Sequence, residues 1–273
     1  MRKLETFNPA TGERIAELEI TTSKEIQDMV GKAKKAQITW AEKSIQDRAN
    51  IIIKAYEEVK NRTKQIADII HDEMGKICDE AFGEVESSIK KIPRITEDVL
   101  DALQSEELND GFTRTISYWD PLGVCASITP WNFPMGMPQT LIIPGLIAGN
   151  TVLFKPSEEV PLVGLEYADI LNKTLPEHVL QVVIGTGDQG RELVESDVQL
   201  ITFTGSQSTG KNILEKAVKE FKRVILELGG KDPLIILDDA DLENAAEFAA
   251  NNSFRNTGQV CVSTENIFVM EGQ

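Results

Sequence analysis

The segment TVLFKPSEEVPLVGLEYADIL, residues 151–171, decides the fold. Its opening run, Thr151 to Lys155, is β-branched and aromatic enough to read as a strand; Pro156 ends the run, and a helical pattern follows over about 158–174. The same alternation recurs on either side. Apolar runs stand at GVCASIT (123–129), QVVI (181–184), LITF (200–203), RVILEL (223–228) and PLIIL (233–237), with helical patterns at about 188–196, 208–221 and 241–254. Strands separated by helices need crossover connections, which lay the strands parallel and cover both faces of the sheet. An α/β fold is expected, with its ligand site beyond the carboxyl ends of the strands.

Upstream the texture differs. Residues 22–104 read as helix: Thr22 and Glu25 make a capping box, and Ile26, Met29, Val30, Ala33 and Trp40 follow an approximate helical period. Ile52, Ile53, Tyr56 and Val59, then Ile66, Ile69 and Ile70, continue it, so each stretch has one apolar face to pack. FTRTISYWDP, 112–121, alternates polar with apolar residues and reads as a hairpin arm leaving the domain.

Composition narrows function by exclusion. A chain of 273 residues, 41% hydrophobic and 26% charged, can bury a full core as one main domain with appendages. Its net charge of -16 repels nucleic acid and anionic membranes. No stretch approaches the ~20 apolar residues of a membrane span, and MRKLETFNPATGE lacks the apolar run of a signal peptide. Cys78, Cys125 and Cys261 have no metal-ligand spacing, and their odd number argues against an oxidised scaffold; a cytoplasmic protein without a bound metal is expected.

Two glycine motifs bear on ligands. GTGDQG, 185–190, matches the dinucleotide fingerprint after a strand, yet the acidic residue due about 20 positions later is replaced by LITFTGS, so the glycines read as a tight strand-to-helix turn. GSQSTGKN, 205–212, is one residue from a phosphate-binding P-loop, and LIILDD, 234–239, imitates its acidic partner strand. Asn212 stands where a Ser or Thr hydroxyl would bind Mg²⁺, which leaves a nucleotide hydrolase as a distant alternative. Under either reading the turn at Gly205 and Ser206 offers backbone N–H groups to a phosphate.

Three short segments carry reactive groups: PWNFP at 130–134, LELGG at 226–230 and GQVC at 258–261. Taken singly, Asn132 could cap a turn, Glu227 could face water at a strand end and Cys261 could be packing. Together they supply an amide donor, a carboxylate base and a thiol in a small-residue loop suited to being reached.

With FNPATGE at 7–13, GNTVLFKPSEEVPL at 149–162, FTGS at 203–206 and LELGGKDP at 226–233 in the same order, the sequence resembles the aldehyde dehydrogenase superfamily, nearest to succinate-semialdehyde and related non-acylating enzymes. The resemblance implies a Rossmann-like sheet within residues 1–253 as the NAD-binding domain, an oligomerisation arm at about 108–124, and the start of a catalytic domain at 254–273. It implies Cys261 as nucleophile, Asn132 with the Cys261 N–H as oxyanion donors, and Glu227 as general base for thioester hydrolysis.

By the same resemblance Lys155 and Glu158 would hold the adenosine ribose, Ser206 would meet the pyrophosphate, and Thr129, Pro130 and Trp131 would line the cleft. Gly205, Leu228 and Gly229 would flank the nicotinamide, with Ser157, Gly187, Phe203 and Thr204 completing the cofactor set. A carboxylate at 158 favours a free ribose hydroxyl, so NAD is expected over NADP. The partner is a small aldehyde, and the full-length family is expected to form homo-oligomers. Most of the family's catalytic domain follows the nucleophile, its later Glu and Phe have no counterpart here, and Asn266 stands where Arg is frequent. The chain is therefore expected to be a truncated form of low or no activity, the alternative being a non-enzymatic NAD-binding or scaffold protein that kept the fold.

Overall fold

The structure, a computed structural model, describes residues 2–270. It begins with an antiparallel hairpin, β1 (Lys3–Phe7) and β2 (Arg14–Glu19), which the sequence reading did not anticipate. Its turn is built by Asn8, whose side-chain oxygen accepts the N–H groups of Ala10 and Thr11 at 2.9 and 3.2 Å.

The expected helical region resolves into four helices: α1 (Ser23–Ala41), α2 (Ile45–Asn61), α3 (Thr63–Met74) and α4 (Cys78–Ala102). The Thr22–Glu25 capping box opens α1, and Ser44 caps α2 by accepting from Asp47 N–H. Next come the arm strands β3 (Glu106–Asn109) and β4 (Arg114–Ser117), an antiparallel pair. The arm thus lies at 106–117 rather than 108–124, because Val124 already belongs to the sheet.

The remaining elements are β5 (Val124–Ile128), α5 (Gly136–Ile147), β6 (Thr151–Lys155), α6 (Pro161–Asn172), β7 (Leu180–Val182), α7 (Gly187–Glu195), β8 (Leu200–Gly205), α8 (Gln207–Ala217), β9 (Arg223–Leu228), β10 (Asp232–Ile236), α9 (Leu242–Phe254) and β11 (Thr264–Val269). Helix α5 has no amphipathic signal to read: Leu141, Ile142, Ile143, Leu146 and Ile147 are all buried, and its more open side carries Met137 and Pro144 beside Thr140, so no polar stripe offsets the apolar residues.

Five strands form one parallel sheet in the order β7-β6-β5-β8-β9. The chain runs outward from β5 to β7 and then returns to lay β8 on the other side of β5, which opens a crevice at the carboxyl ends. Side-chain alternation gives each face its own core. Val124, Ala126, Ile128 and Leu153 pack with Ile26 and Val30 of α1 and Leu193 of α7, while Cys125, Val152 and Phe154 belong to a second cluster with Trp40 from the end of α1 and Ile52, Ile66 and Tyr167 of α2, α3 and α6.

PLIIL does not join this sheet, contrary to the sequence reading. It forms β10, which pairs in parallel with β11 alone, so the chain changes sheet across Gly229–Lys231. In the segment FVMEGQ, residues 268–273, β11 runs through Val269, and the last three residues lie outside the described residues.

Candidate active site

Beyond the carboxyl ends of β5, β6 and β8 lies a cleft of about 730 Å³. Thr129, Pro130 and Trp131 line it after β5, Lys155, Ser157 and Glu158 after β6, Gly187 at the start of α7, and Phe203, Thr204, Gly205 and Ser206 at the end of β8. The Lys155 side chain is 3% exposed, and its ammonium reaches the Pro156 carbonyl at 3.1 Å and the Glu158 carboxylate at 3.2 Å. Burial lowers its pKa, with Glu158 pulling the other way. The N-termini of α7 and α8 both open at this cleft. Thr186 caps α7 in a capping box with Gln189, and Ser206 caps α8 by accepting from Thr209 N–H at 3.2 Å.

The glycine motifs take definite form here. GTGDQG is the strand-to-helix turn that the sequence suggested, with Gly187 the first residue of α7. GSQSTGKN is no phosphate-cradling loop, since the chain is already helical from Gln207 and Lys211 and Asn212 lie within α8. Its supposed partner strand belongs to the separate β10–β11 pair. Both halves of the P-loop alternative therefore fail on geometry.

Asn132, Glu227 and Cys261 do not line the cleft. The Asn132 side-chain amide donates to the Gln259 carbonyl at 2.8 Å, which ties its loop to the strand of chain two residues before the exposed Cys261 thiol. Glu227 stands exposed on β9 in register with Thr204 of β8, and Leu228 in register with Gly205, so these residues flank the cleft from the neighbouring strand. Gly229 lies just past β9, its carbonyl accepting from Gln207 at 3.1 Å. Among the described residues no hydrogen bond joins Glu227 to Asn132 or to Cys261. The structure thus brings amide and thiol loops together and leaves the carboxylate on the adjacent strand.

Residues that sequence reading missed surround these. Glu159, Arg191, Thr209 and Lys216 also line the cleft. Asn256, 2% exposed, donates its amide to Asn132 O at 3.0 Å and Gln259 O at 3.2 Å. A buried ion pair, Lys76–Glu84 at 2.5 Å, lies beneath the Asn132 loop. The signal was present as the four-residue spacing of Lys76, Glu80 and Glu84, but charged rows at that spacing usually mark a solvated helix face.

The sequence matches the aldehyde dehydrogenase family over residues 1–273. The chain belongs to this family. It is 32% identical over 98% of its length to D-glyceraldehyde dehydrogenase (NADP(+)) of Picrophilus torridus, covering 55% of that protein. It is 35% identical over 99% of its length to mitochondrial succinate-semialdehyde dehydrogenase of Arabidopsis thaliana, covering 52% of it. The crystal structure of NADP-dependent glyceraldehyde-3-phosphate dehydrogenase from Bacillus halodurans, complexed with NADP, superposes with a TM-score of 0.93 at 33% identity, covering 99% of this chain and 58% of that one. The chain spans about half the length of the curated relatives it matches.

Aldehyde dehydrogenases use NAD(P), and the cleft can be tested for such a group. Among the described residues the Thr204 hydroxyl, buried in it, has no hydrogen-bond partner. At Gly205 an added Cβ would lie 2.5 Å from the Phe203 ring, so the strand end admits only a bare backbone. Together with a buried ammonium and two helix N-termini, these features suit a diphosphate and ribose. Among the described residues no cluster of His, Cys, Asp and Glu could hold a metal, and no helix is long and apolar enough to cross a membrane.

Proposed function

We propose that this chain is the cofactor-binding part of an NAD(P)-dependent aldehyde dehydrogenase, carrying the nucleophile loop of the site. The observation that carries the reading is the cleft at the carboxyl ends of β5, β6 and β8, where Lys155 is buried facing two helix N-termini. The bound dinucleotide would supply the hydride acceptor for oxidation of an aldehyde to an acid.

In this reading Lys155 and Glu158 hold the adenosine ribose, Ser206 and the first amides of α8 the pyrophosphate, and Gly205, Leu228 and Gly229 border the nicotinamide. Cys261 attacks the aldehyde carbon through its thiolate. Asn132 has two amide hydrogens; Gln259 engages one, and the second is available to the oxyanion beside the Cys261 N–H. Glu227 takes a proton from the water that hydrolyses the thioester.

The expected preference for NAD over NADP finds no support in the relatives, several of which carry NADP in their names. Glu158 is also partly neutralised by Lys155 at 3.2 Å, which softens its repulsion of a phosphate. The reading adopted is a site that takes NADP at least as well as NAD. The substrate is an aldehyde, with a semialdehyde the nearest class by likeness, and the compartment is proposed as cytoplasmic. The dinucleotide domain is proposed over 1–253, although the change of sheet after Leu228 argues for an earlier end. The arm, with Leu108 and Phe112 exposed, is proposed as a self-association element.

Titration of NADPH and NADH fluorescence against the chain tests the reading. Saturable binding that weakens in Lys155→Met supports it, and turnover of several aldehydes is expected to be little or none. Absence of binding by either nucleotide would instead leave the scaffold reading.

A further inference from the structure

The loop that bears Cys261 begins in an unusual backbone. Asn256, Thr257 and Gly258 have φ values of 52°, 59° and 75°, three left-handed residues in succession. Glycine takes this conformation freely and asparagine tolerates it, but a β-branched Thr257 there is a true outlier. Such backbone persists only where its surroundings over-determine it. The holder is visible: the Asn256 N–H donates to the Glu80 carboxylate at 3.1 Å.

Glu80 has two neighbours at four-residue spacing. Glu84, on the next turn of α4, accepts the N–H groups of Met135 and Gly136, both at 3.0 Å, and so fixes the chain just after Asn132. Lys76, in the bend before α4, pairs with Glu84 at 2.5 Å and donates to the Asn132 carbonyl at 3.1 Å. The Lys76 and Glu84 side chains are 1% and 5% exposed. Two ions taken so far out of water gain little for stability beyond what an apolar pair would supply, so their value lies in what they fix.

Resting on the function proposed above, we propose that Lys76, Glu80 and Glu84 form a positioning row that sets the separation of the Asn132 amide from the Cys261 thiol. Glu80 clamps the strained turn under the thiol loop, and Lys76 with Glu84 clamps the amide loop. One rigid helix start therefore gauges two loops that come from distant parts of the chain. None of the three touches the reacting atoms.

The test reads acyl transfer from p-nitrophenyl acetate to Cys261, a reaction that needs the thiol and an oxyanion donor but no dinucleotide. Glu80→Ala removes the acceptor, and Glu80→Gln retains one. Hydrogen exchange of residues 256–261 is followed beside that of β5, β6 and β8. In Glu80→Ala, Cys261-dependent nitrophenolate release is expected to fall about tenfold or more, with faster exchange at 256–261 and an unaltered sheet; Glu80→Gln restores both. The double variant Lys76→Met/Glu84→Met, which leaves no unpaired buried charge, is expected to loosen 133–136 in the same selective way. Unchanged release and unchanged loop exchange in Glu80→Ala overturn the proposal. If the unsubstituted chain releases no Cys261-dependent nitrophenolate, the functional reading above is what fails, and loop exchange alone decides the row: faster at 256–261 in Glu80→Ala supports it, unaltered refutes it.

Discussion

Asn132 and Gln259, 127 positions apart in sequence, share a hydrogen bond of 2.8 Å from the Asn132 amide to the Gln259 carbonyl. The contact joins the loop after β5 to the loop before Cys261, and Asn256 doubles it by bonding both the Asn132 and Gln259 carbonyls. A side chain with two amide hydrogens can spend one on this tether and still present the other. On the function proposed above, oxyanion donation and loop anchoring would fall to one residue.

Replacing Asn132 by Ala should therefore cost twice, through the missing oxyanion donor and through the slackened loop. A single such donor is typically worth about 3 kcal/mol, which corresponds to roughly a hundredfold in rate. The expected result is Cys261-dependent acylation by p-nitrophenyl acetate slowed by about that factor, with thermal stability little altered. An unchanged acylation rate would remove Asn132 from the reaction.

Lys155 sits in a buried place with one partly exposed carboxylate for company. Lys155→Met keeps the length of the stem and discards the desolvated charge. Affinity for NADPH and NADH should drop by about tenfold or more, while the melting temperature stays equal or rises, since replacing a buried ion by an apolar group is often neutral or stabilising. Fluorescence titration and thermal melts check the two halves separately; a large fall in melting temperature would show Lys155 to be structural.

Glu73, on α3, accepts the Leu162 and Val163 N–H groups at the start of α6, together with the Thr6 hydroxyl of β1. Val160, the N-cap of α6, makes no side-chain cap, so this distant carboxylate does its work. Burial nevertheless pushes the Glu73 carboxyl up to about 7, the three donors pulling it back only in part. A carboxyl raised above its unfolded pKa favours folding while protonated, and that contribution is complete below the unfolded value and is lost as pH rises through the folded one. Relative to Glu73→Gln, which does not titrate, the protein should lose stability between about pH 5 and 8, by up to about 3 kcal/mol. Parallel stability curves for the two proteins over that interval would contradict this.

Tyr56 of α2 and Tyr167 of α6 meet hydroxyl to hydroxyl at 2.7 Å, both fully buried, with their rings edge to face. Burial raises both phenol pKa values, so the pair stays neutral. Tyr56→Phe leaves the Tyr167 hydroxyl without its partner and should cost about 1–3 kcal/mol; the double Phe variant should cost less than the sum of the singles. Denaturant unfolding of the four proteins measures the coupling directly, and strict additivity would mean that the bond contributes nothing.

The parallel sheet could be read in advance because its strands are buried on both faces. TVLFK, LITF and GVCASIT are short, mainly apolar runs with β-branched residues and Gly or Pro close by, the composition of a covered strand. The individual cleft residues at 129–131, 155, 157, 158 and 203–206 came from the family resemblance; the strand pattern accounts for their convergence, since they follow those runs and the carboxyl ends of parallel strands lie together. Local pattern failed where surroundings, not periodicity, set the structure. Helix α5 is mostly buried and carries apolar residues even on its more open side, so it shows no stripe, and β10 has the composition of a sheet strand but pairs with β11, because pairing partners are chosen by packing rather than by the strand itself.

The clamp beneath the thiol loop lay furthest from view. Lys76, Glu80, Glu84 and Asn256 look like ordinary surface residues in a one-dimensional chain; that Lys76, Glu84 and Asn256 are buried and Glu80 half-buried becomes evident only when the start of α4 is laid beneath two loops more than fifty residues away. Short-range spacing reports which residues share a face of one element. Which element covers that face is a long-range matter, settled by how whole helices and loops fill space around the sheet, and only the folded chain decides it.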